Sequence, residues 1–132
     1  MKLKEIIISK ILGTNKEEKK PKNLGENIAC KYLKKQKYKI KEKNYRSRFG
    51  EIDIIAKDSD TLCFIEVKSR SRTDYGLPEE FVDKRKQEKL IKTAQAFISQ
   101  NNIQNQNMRF DIVSVNLNNS ECRILKNAFE ID

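Results

Sequence analysis

The chain has 132 residues, enough for one domain with a core of its own and too few for two. Its 28 Lys and Arg against 19 Asp and Glu give a net charge of +9, which favours nucleic acid as a partner, although solvated lysines encoded by an AT-rich genome explain the excess equally well. The sequence has no histidine, so catalytic triads with histidine and metal sites with histidine ligands are excluded. Hydrolytic chemistry is left to carboxylates, lysine and a hard metal ion.

The first 22 residues precede the predicted domain. Residues 1–12 contain an apolar run that predicts an appended helix or strand. The run is far shorter than a membrane span of about 20 residues, so no membrane association is expected. Residues 13–22 are polar, charged and interrupted by Pro21, as is typical of a linker. We therefore expect the domain itself to comprise residues 23–132.

Within that range the sequence predicts seven elements in the order αβββαββ. Apolar residues at helical spacing predict helices from Asn23 to about Gln36 and from about Asp83 to Gln100. Apolar runs predict five strands, the second and third forming a hairpin through turn residues at 57–60: 38–46, 50–56, 61–68, 108–116 and 121–126. Residues 69–78 are predicted to be a loop. A helix on either side of the hairpin indicates an α/β fold with a mixed sheet flanked by helices.

The cysteines indicate the compartment. Cys30, Cys63 and Cys122 are odd in number, lie far apart and form no C-x-x-C pair. The apolar neighbours of the first two predict small core residues. A reducing, cytoplasmic setting suits this pattern better than secretion.

Charged residues gather at one end of the predicted hairpin. Side chains two apart on a strand share a face, so Glu66 and Lys68 project together. Asp53 projects with Glu51, and the isoleucines on either side of Asp53 take the other face. Twelve residues separate Asp53 from Glu66, which lets both carboxylates meet. Two carboxylates beside an ammonium suit metal-assisted phosphodiester hydrolysis, because Mg²⁺ prefers oxygen ligands and the phosphate charge needs a cation.

A salt bridge at the strand end is the alternative explanation of this cluster. Exposed pairs of Lys68 with either carboxylate are worth only about 0–1 kcal/mol and are common. Against it stands the position of Glu66, which ends an almost wholly apolar strand where a charge is costly unless it serves a site. From spacing alone the two interpretations are about equal.

Five blocks in one order resemble the YraN family of bacterial proteins. They are L-G-E at 24–26 with Ala29, Tyr32 and Leu33; N-Y-R at 44–46 with G-E-I-D-I-I at 50–55; F-I-E-V-K-S-R at 64–70; K-R-K-Q at 84–87; and R-F-D-I-V at 109–113. Together they cover roughly residues 23 to 116. The family is similar to the PD-(D/E)xK nuclease superfamily, near the archaeal Holliday-junction resolvases. The resemblance implies a restriction-endonuclease-like core.

The resemblance also implies roles for individual residues. Asp53 and Glu66 become ligands of Mg²⁺ or Mn²⁺, with the Val67 carbonyl as a third ligand, and Lys68 becomes the catalytic lysine. Two further residues match site positions of resolvase-like members: Glu26 on the first helix, as a metal or water contact, and Gln87 on the second helix, as a polar support. The superfamily's proline before the first acid is Ile52 here, and G-E-I-D is the usual form in the YraN family.

Basic residues flank the motif strands and begin the second helix. We expect them to contact a phosphate backbone, with ordinary solvated charge as the alternative: Arg46, Arg48, Arg70, Arg72, Lys84, Arg85 and Lys86. Three aromatic residues have the chemistry to stack on bases, although packing is the commoner fate: Tyr45, Phe49 and Tyr75. Asp111 is expected to be a buried structural carboxylate paired with Arg109 or a helix residue.

The sequence thus predicts a Mg²⁺- or Mn²⁺-dependent endonuclease-like protein acting on DNA, including branched or otherwise structured DNA. Two alternatives stay open at this point. One is a nucleic-acid-binding module that keeps the nuclease fold with little or no catalysis. The other is an interaction protein whose basic face binds a protein or RNA. Resemblance to two-fold-symmetric resolvases adds a homodimer to the expectations.

Overall fold

The computed structural model describes residues 14–71 and 82–130, with side chains from residue 24 onward in the first range. The elements in chain order are α1 Thr14–Lys35, β1 Lys39–Ser47, β2 Gly50–Asp58, β3 Thr61–Arg70, α2 Lys84–Gln100, β4 Asn107–Asn116 and β5 Cys122–Phe129. This is the predicted order αβββαββ. The predicted element at residues 1–12 and most of the predicted loop at 69–78 lie outside the described residues.

The five strands form one mixed sheet in the order β1-β2-β3-β4-β5. Sequential neighbours pair antiparallel except β3 and β4, which are parallel from Thr61↔Asn107 to Arg70↔Asn116. A parallel pair needs a long crossover, and α2 lies within it. Asp83 begins that helix as its N-cap, since its side chain accepts a hydrogen bond from the backbone N–H of Lys86 at 2.8 Å.

Each face of the sheet is covered by one helix. Leu90, Ala94 and Phe97 of α2 pack with Phe64 and other residues on one face, whereas Ala29 and Leu33 of α1 pack on the opposite face. Burial on both sides explains why β3 is apolar at nearly every position rather than alternating. Cys30 and Cys63 are buried in the α1 side, as predicted.

The predicted start of the first helix is wrong. The sequence places it at Asn23, whereas α1 begins at Thr14 and runs through most of the stretch that was interpreted as a linker. Residues 14–22 have no apolar periodicity and contain Pro21, which lacks a backbone donor, so the pattern indicated a loop. The division into an appended element, a linker and a domain from residue 23 stays a prediction.

The expectation of no membrane association can be compared with the helices of the structure. Among the helices of the described ranges, neither combines the length and the apolar character that crossing a bilayer requires.

Candidate metal-binding site

The strands β2 and β3 separate at the end of their hairpin that carries the motif. Their pairing runs from Asp58↔Thr61 to Ile54↔Ile65. Beyond it, the backbone N–H of Val67 donates to Asp53 Oδ2 at 2.8 Å instead of to a β2 carbonyl. Asp53 is thereby fixed between two diverging strands, while β3 continues its pairing with β4.

The predicted alternation of β2 around Asp53 is wrong. Ile52 packs in the core on the α2 side, whereas Ile54 packs in the core on the α1 side. Asn44, which lies on β1 between the partners of these two isoleucines, has a φ of 54°. Strict alternation of β2 is therefore lost between Ile52 and Ile54, beside this left-handed residue of β1.

Glu66 ends the buried part of β3 and is only 7% exposed. Its Oε2 atom lies 3.0 Å from Lys86 Nζ of α2 and 3.9 Å from Lys68 Nζ of its own strand. Glu66 also lies near Asp53, and its charge is the main cause after burial that raises the Asp53 pKa. The two carboxylates therefore meet at the end of the hairpin, with two ammonium groups beside them.

Two further carboxylates lie beside Asp53. Glu26 of α1, 5% exposed, and Glu51 of β2 each offer an oxygen within 4.8 Å of the other and of Asp53. Gly25 allows this approach, because a side-chain carbon at that position meets the Ser69 side chain at the end of β3. Acids from α1, β2 and β3 are thus gathered around one point.

The crowding of these acids changes the acidity of Asp53. Burial and the charge of Glu66 raise its pKa to about 7, because Glu66 favours the protonated Asp53 that can donate to it, and the charge of Glu26 acts in the same direction. The N–H of Val67 opposes the shift. Ionisation of Asp53 is therefore costly in the folded protein.

Lys86 faces the same acids from the opposite side. Desolvation lowers the pKa of its ammonium, but the charges of Glu66, Asp53 and Glu51 outweigh that effect and raise it. The sequence assigned Lys86 to a phosphate contact. Its described partner is Glu66.

The donor set fits a divalent cation. Carboxylate oxygens are the ligands that Mg²⁺ and Mn²⁺ prefer, and burial together with the charge of Glu66 makes ionisation of Asp53 costly without a cation. Glu26, Glu51 and Asp53 offer oxygens within 4.8 Å of one another and would hold the ion, and Glu66 and the Val67 carbonyl are the further ligands that the sequence predicts. Glu51 is a member of the acid group to which sequence reasoning gave no role, although the i, i+2 spacing in G-E-I-D was a signal for it.

The other predicted site residues differ in their contacts and exposure. Gln87 donates from its side chain to the Val82 carbonyl at 2.9 Å, so its described contact steadies the chain entering α2. Arg46 pairs with Glu51 at 2.9 Å. Lys84 and Arg85 are exposed at the start of α2, and Arg70 is half-buried at the end of β3. Arg72 lies outside the described residues.

The three aromatic residues named as candidates for base stacking differ in their environments. Tyr45 is buried and donates to Gln100 Oε1 at 2.6 Å, so it has a packing role. Phe49 is 36% exposed in the turn between β1 and β2, and the Arg48 guanidinium lies 4.8 Å from the centre of its ring. Tyr75 lies outside the described residues.

Asp111 is structural, as expected. It is 1% exposed and accepts hydrogen bonds from Arg109 Nε at 2.8 Å and from the backbone N–H of Asn127 at 2.9 Å. Arg109 also reaches Asp58 at 2.8 Å and the hydroxyl of Tyr38 at 2.9 Å. This network, called here the Arg109 network, ties β2, β4 and β5 together near the turn end of the hairpin.

The mixed five-stranded sheet between two helices, with the acids and Lys68 at the splayed end of its central hairpin, defines an α/β protein with a restriction-endonuclease-like core. Sequence comparison then gives the family. The chain belongs to Uncharacterised protein family UPF0102, the YraN family, whose profile matches residues 25–115.

Relatives span most of the chain. It is 49% identical over 108 residues to a UPF0102 protein of Persephonella marina, covering 82% of this chain and 91% of the relative. A UPF0102 protein of Syntrophus aciditrophicus is 47% identical over 110 residues, covering 82% and 87% of the two chains. One from Clostridium botulinum strain 657 is 46% identical over 114 residues, covering 83% and 93%.

Proposed function

We propose that the protein is a metal-dependent endonuclease-like enzyme that hydrolyses phosphodiester bonds in DNA, including branched or structured DNA. The observation that carries the proposal is the convergence of Glu26, Glu51 and Asp53, whose oxygens lie within 4.8 Å of one another, with Glu66 beside Asp53 and Lys68 3.9 Å from Glu66. Such a group is costly to bury unless a cation compensates it. A bound divalent ion supplies a water of lowered pKa and neutralises charge on the phosphate.

The chain's own residues have separable roles in this proposal. Glu26, Asp53 and Glu66 bind and orient the ion, and the Val67 N–H holds the Asp53 carboxylate in place. Lys68 presents a compact positive charge at the rim, where it stabilises charge that develops on the phosphate. Arg48, Lys84 and Arg85 supply further charge for the backbone of the nucleic acid.

The proposal also covers the partner, the cellular compartment and the oligomeric state. The net charge of +9 and the free thiols of Cys30 and Cys63 suit a DNA-facing protein of the cytoplasm. We also propose that the protein forms a homodimer, which presents two such sites. Light scattering of the purified protein tests this oligomeric state.

Cleavage assays test the activity. Wild type is incubated with single-stranded, duplex and branched DNA and with RNA, each with Mg²⁺, with Mn²⁺ and with EDTA. We expect metal-dependent cutting of DNA that Glu66→Gln lowers at least 100-fold, because the substitution removes a metal ligand and its charge. DNA binding by Glu66→Gln persists and weakens steeply with salt.

The control is Asp60→Asn. Asp60 lies in the exposed turn at the opposite end of the same hairpin, and its substitution removes one negative charge far from the site. It is expected to keep wild-type cutting. A wild type that binds DNA with salt dependence but cuts none of the substrates leaves the nucleic-acid-binding module as the function and refutes the enzyme.

A further inference from the structure

Lys86 differs from the other basic residues at the start of α2. All three residues are exposed, including 46% of the Lys86 side chain, but Lys86 extends across to β3, where its ammonium lies 3.0 Å from Oε2 of Glu66. The cap formed by Asp83 with the Lys86 N–H anchors the backbone at that point. The position of this ammonium is therefore set by the fold at both ends of the side chain.

The contacted oxygen belongs to the proposed metal site. Lys68 lies farther from the same oxygen, at 3.9 Å, so Lys86 is its nearest cation in the described ranges. An ammonium donating to that oxygen takes up a lone pair that a metal ion needs. Its positive charge also repels an incoming dication. The pair and the ion thus compete for one carboxylate.

We propose that Lys86 is a positioning residue that acts as a built-in counter-ion: it holds the acid cluster together before metal binds, and it must leave Glu66 for the ion to be held there. The inference rests on the proposed metal site. The released ammonium remains on the rim of the site, where a substrate phosphate is its next partner. Metal binding to Glu66 frees the Lys86 ammonium for a phosphate, and a phosphate that binds this ammonium frees Glu66 for the metal. The two ligands consequently favour each other's binding.

Metal titration of the full chain tests this without any cleavage. Mn²⁺ binding is measured by calorimetry or by the loss of the free-ion electron paramagnetic resonance signal, for wild type and Lys86→Gln. We expect Lys86→Gln to bind Mn²⁺ about tenfold more tightly, as the removal of one competing charge at a partly exposed site implies. Without metal, the same variant has a lower Tm, because Glu66 has lost its nearest partner.

Two matched variants separate this effect from a general change in charge or fold. Lys84→Gln removes the same charge from the same helix, two residues away and exposed, and is expected to alter Mn²⁺ affinity less than twofold. Lys86→Arg keeps the charge and is expected to keep the wild-type affinity. If Lys86→Gln is unstable, the stability of Lys86→Arg shows whether the loss of the charge is the cause.

The outcomes distinguish the two proposals. Mn²⁺ binding by wild type that Lys86→Gln leaves unchanged or weakens overturns the counter-ion role and leaves the metal site standing. Tightening of equal size in Lys84→Gln overturns it as well, since the effect is then one of bulk charge. An absence of Mn²⁺ binding in wild type and in Lys86→Gln overturns the metal site and the inference together.

Discussion

Asp53 shows the electrostatic cost of a buried acid group at the level of one residue. The carboxyl is held by the Val67 N–H in a partly buried position beside Glu66. Its pKa of about 7, against an ordinary value near 3.8, means that ionisation is harder in the folded protein than in the unfolded chain. The metal-free protein is therefore strained electrostatically at the point where a cation is proposed to bind.

The sign of the resulting pH dependence follows by linkage. Between the unfolded and the folded pKa, the folded protein retains a proton that the unfolded chain has released, so the free energy of unfolding falls as the pH rises. The penalty is absent below about pH 4 and is complete above about pH 7. Asp53→Asn, neutral at every pH, is expected to stabilise the metal-free protein at pH 8 by about 1–2 kcal/mol, a figure reduced from the full shift because the site is not dry.

Denaturant unfolding in EDTA at pH 8 and pH 5 measures this prediction. The gain from Asp53→Asn is expected to be smaller at pH 5, and Asp60→Asn, in the exposed turn of the same hairpin, is expected to show neither effect. Added Mg²⁺ then stabilises wild type but not Asp53→Asn. A loss of stability in Asp53→Asn at pH 8 would show that the carboxylate contributes more through its hydrogen bonds than it costs through repulsion.

At the scale of the elements, the turn between β1 and β2 is built to present Phe49. Ser47 Oγ accepts a hydrogen bond from the Phe49 N–H at 3.0 Å, which fixes the tip. Behind it, Gly50 with a φ of 153° packs against Lys89 and Thr93 of α2. An exposed aromatic ring beside the Arg48 guanidinium, two residues before Glu51 in the sequence, has the chemistry to stack on an unpaired base.

Truncation of that ring is expected to weaken binding to DNA with unpaired bases near the site. Stacking of one base on an aromatic side chain is worth about 1–3 kcal/mol, so Phe49→Ala is expected to lose about 5- to 100-fold in affinity for single-stranded or gapped oligonucleotides. Binding to continuous duplex is expected to change little, since paired bases stay stacked. Fluorescence of 2-aminopurine at the unpaired position reports the stacking directly.

The comparison variant is Leu125→Ala. Leu125 is exposed to a similar extent, 37%, but lies on β5 at the opposite edge of the sheet from β1. It is expected to bind every oligonucleotide as wild type does. Equal losses on duplex and on gapped DNA in Phe49→Ala count against base stacking and in favour of a general effect on the turn.

The elements also show which parts of the site were predictable. The strand carrying Glu66 and Lys68 and the helix α2 have strong apolar patterns, and the spacing of Asp53 and Glu66 around a short turn predicted their meeting. The approach of Lys86 to Glu66 had no such signal, because it depends on how the crossover sets α2 against β3. The face change between Ile52 and Ile54 was equally hidden, since regular strand alternation puts both isoleucines on one face.

At the scale of the whole molecule, a second charged cluster acts on stability alone. The Arg109 network joins three strands, and burial leaves Asp111 dependent on its partners. Hydrogen bonds from Arg109 are the main cause that lowers the pKa of Asp58, a rim member of the network, with Lys126 adding to the effect. The contribution of Asp58 is present above its unfolded pKa and is lost as the pH falls through its lower folded pKa.

Asp111→Asn is therefore expected to destabilise the protein by about 3–5 kcal/mol, the usual cost of removing one partner from a buried pair, because Arg109 is left with less compensating charge. Urea unfolding measures the loss, and Asp58→Asn, on the more exposed rim, is expected to lose only about 1 kcal/mol. Under conditions where Asp111→Asn remains folded, its Mn²⁺ affinity is expected to match that of wild type. A changed metal affinity at full folding would show that the two acid clusters are coupled across the sheet rather than independent.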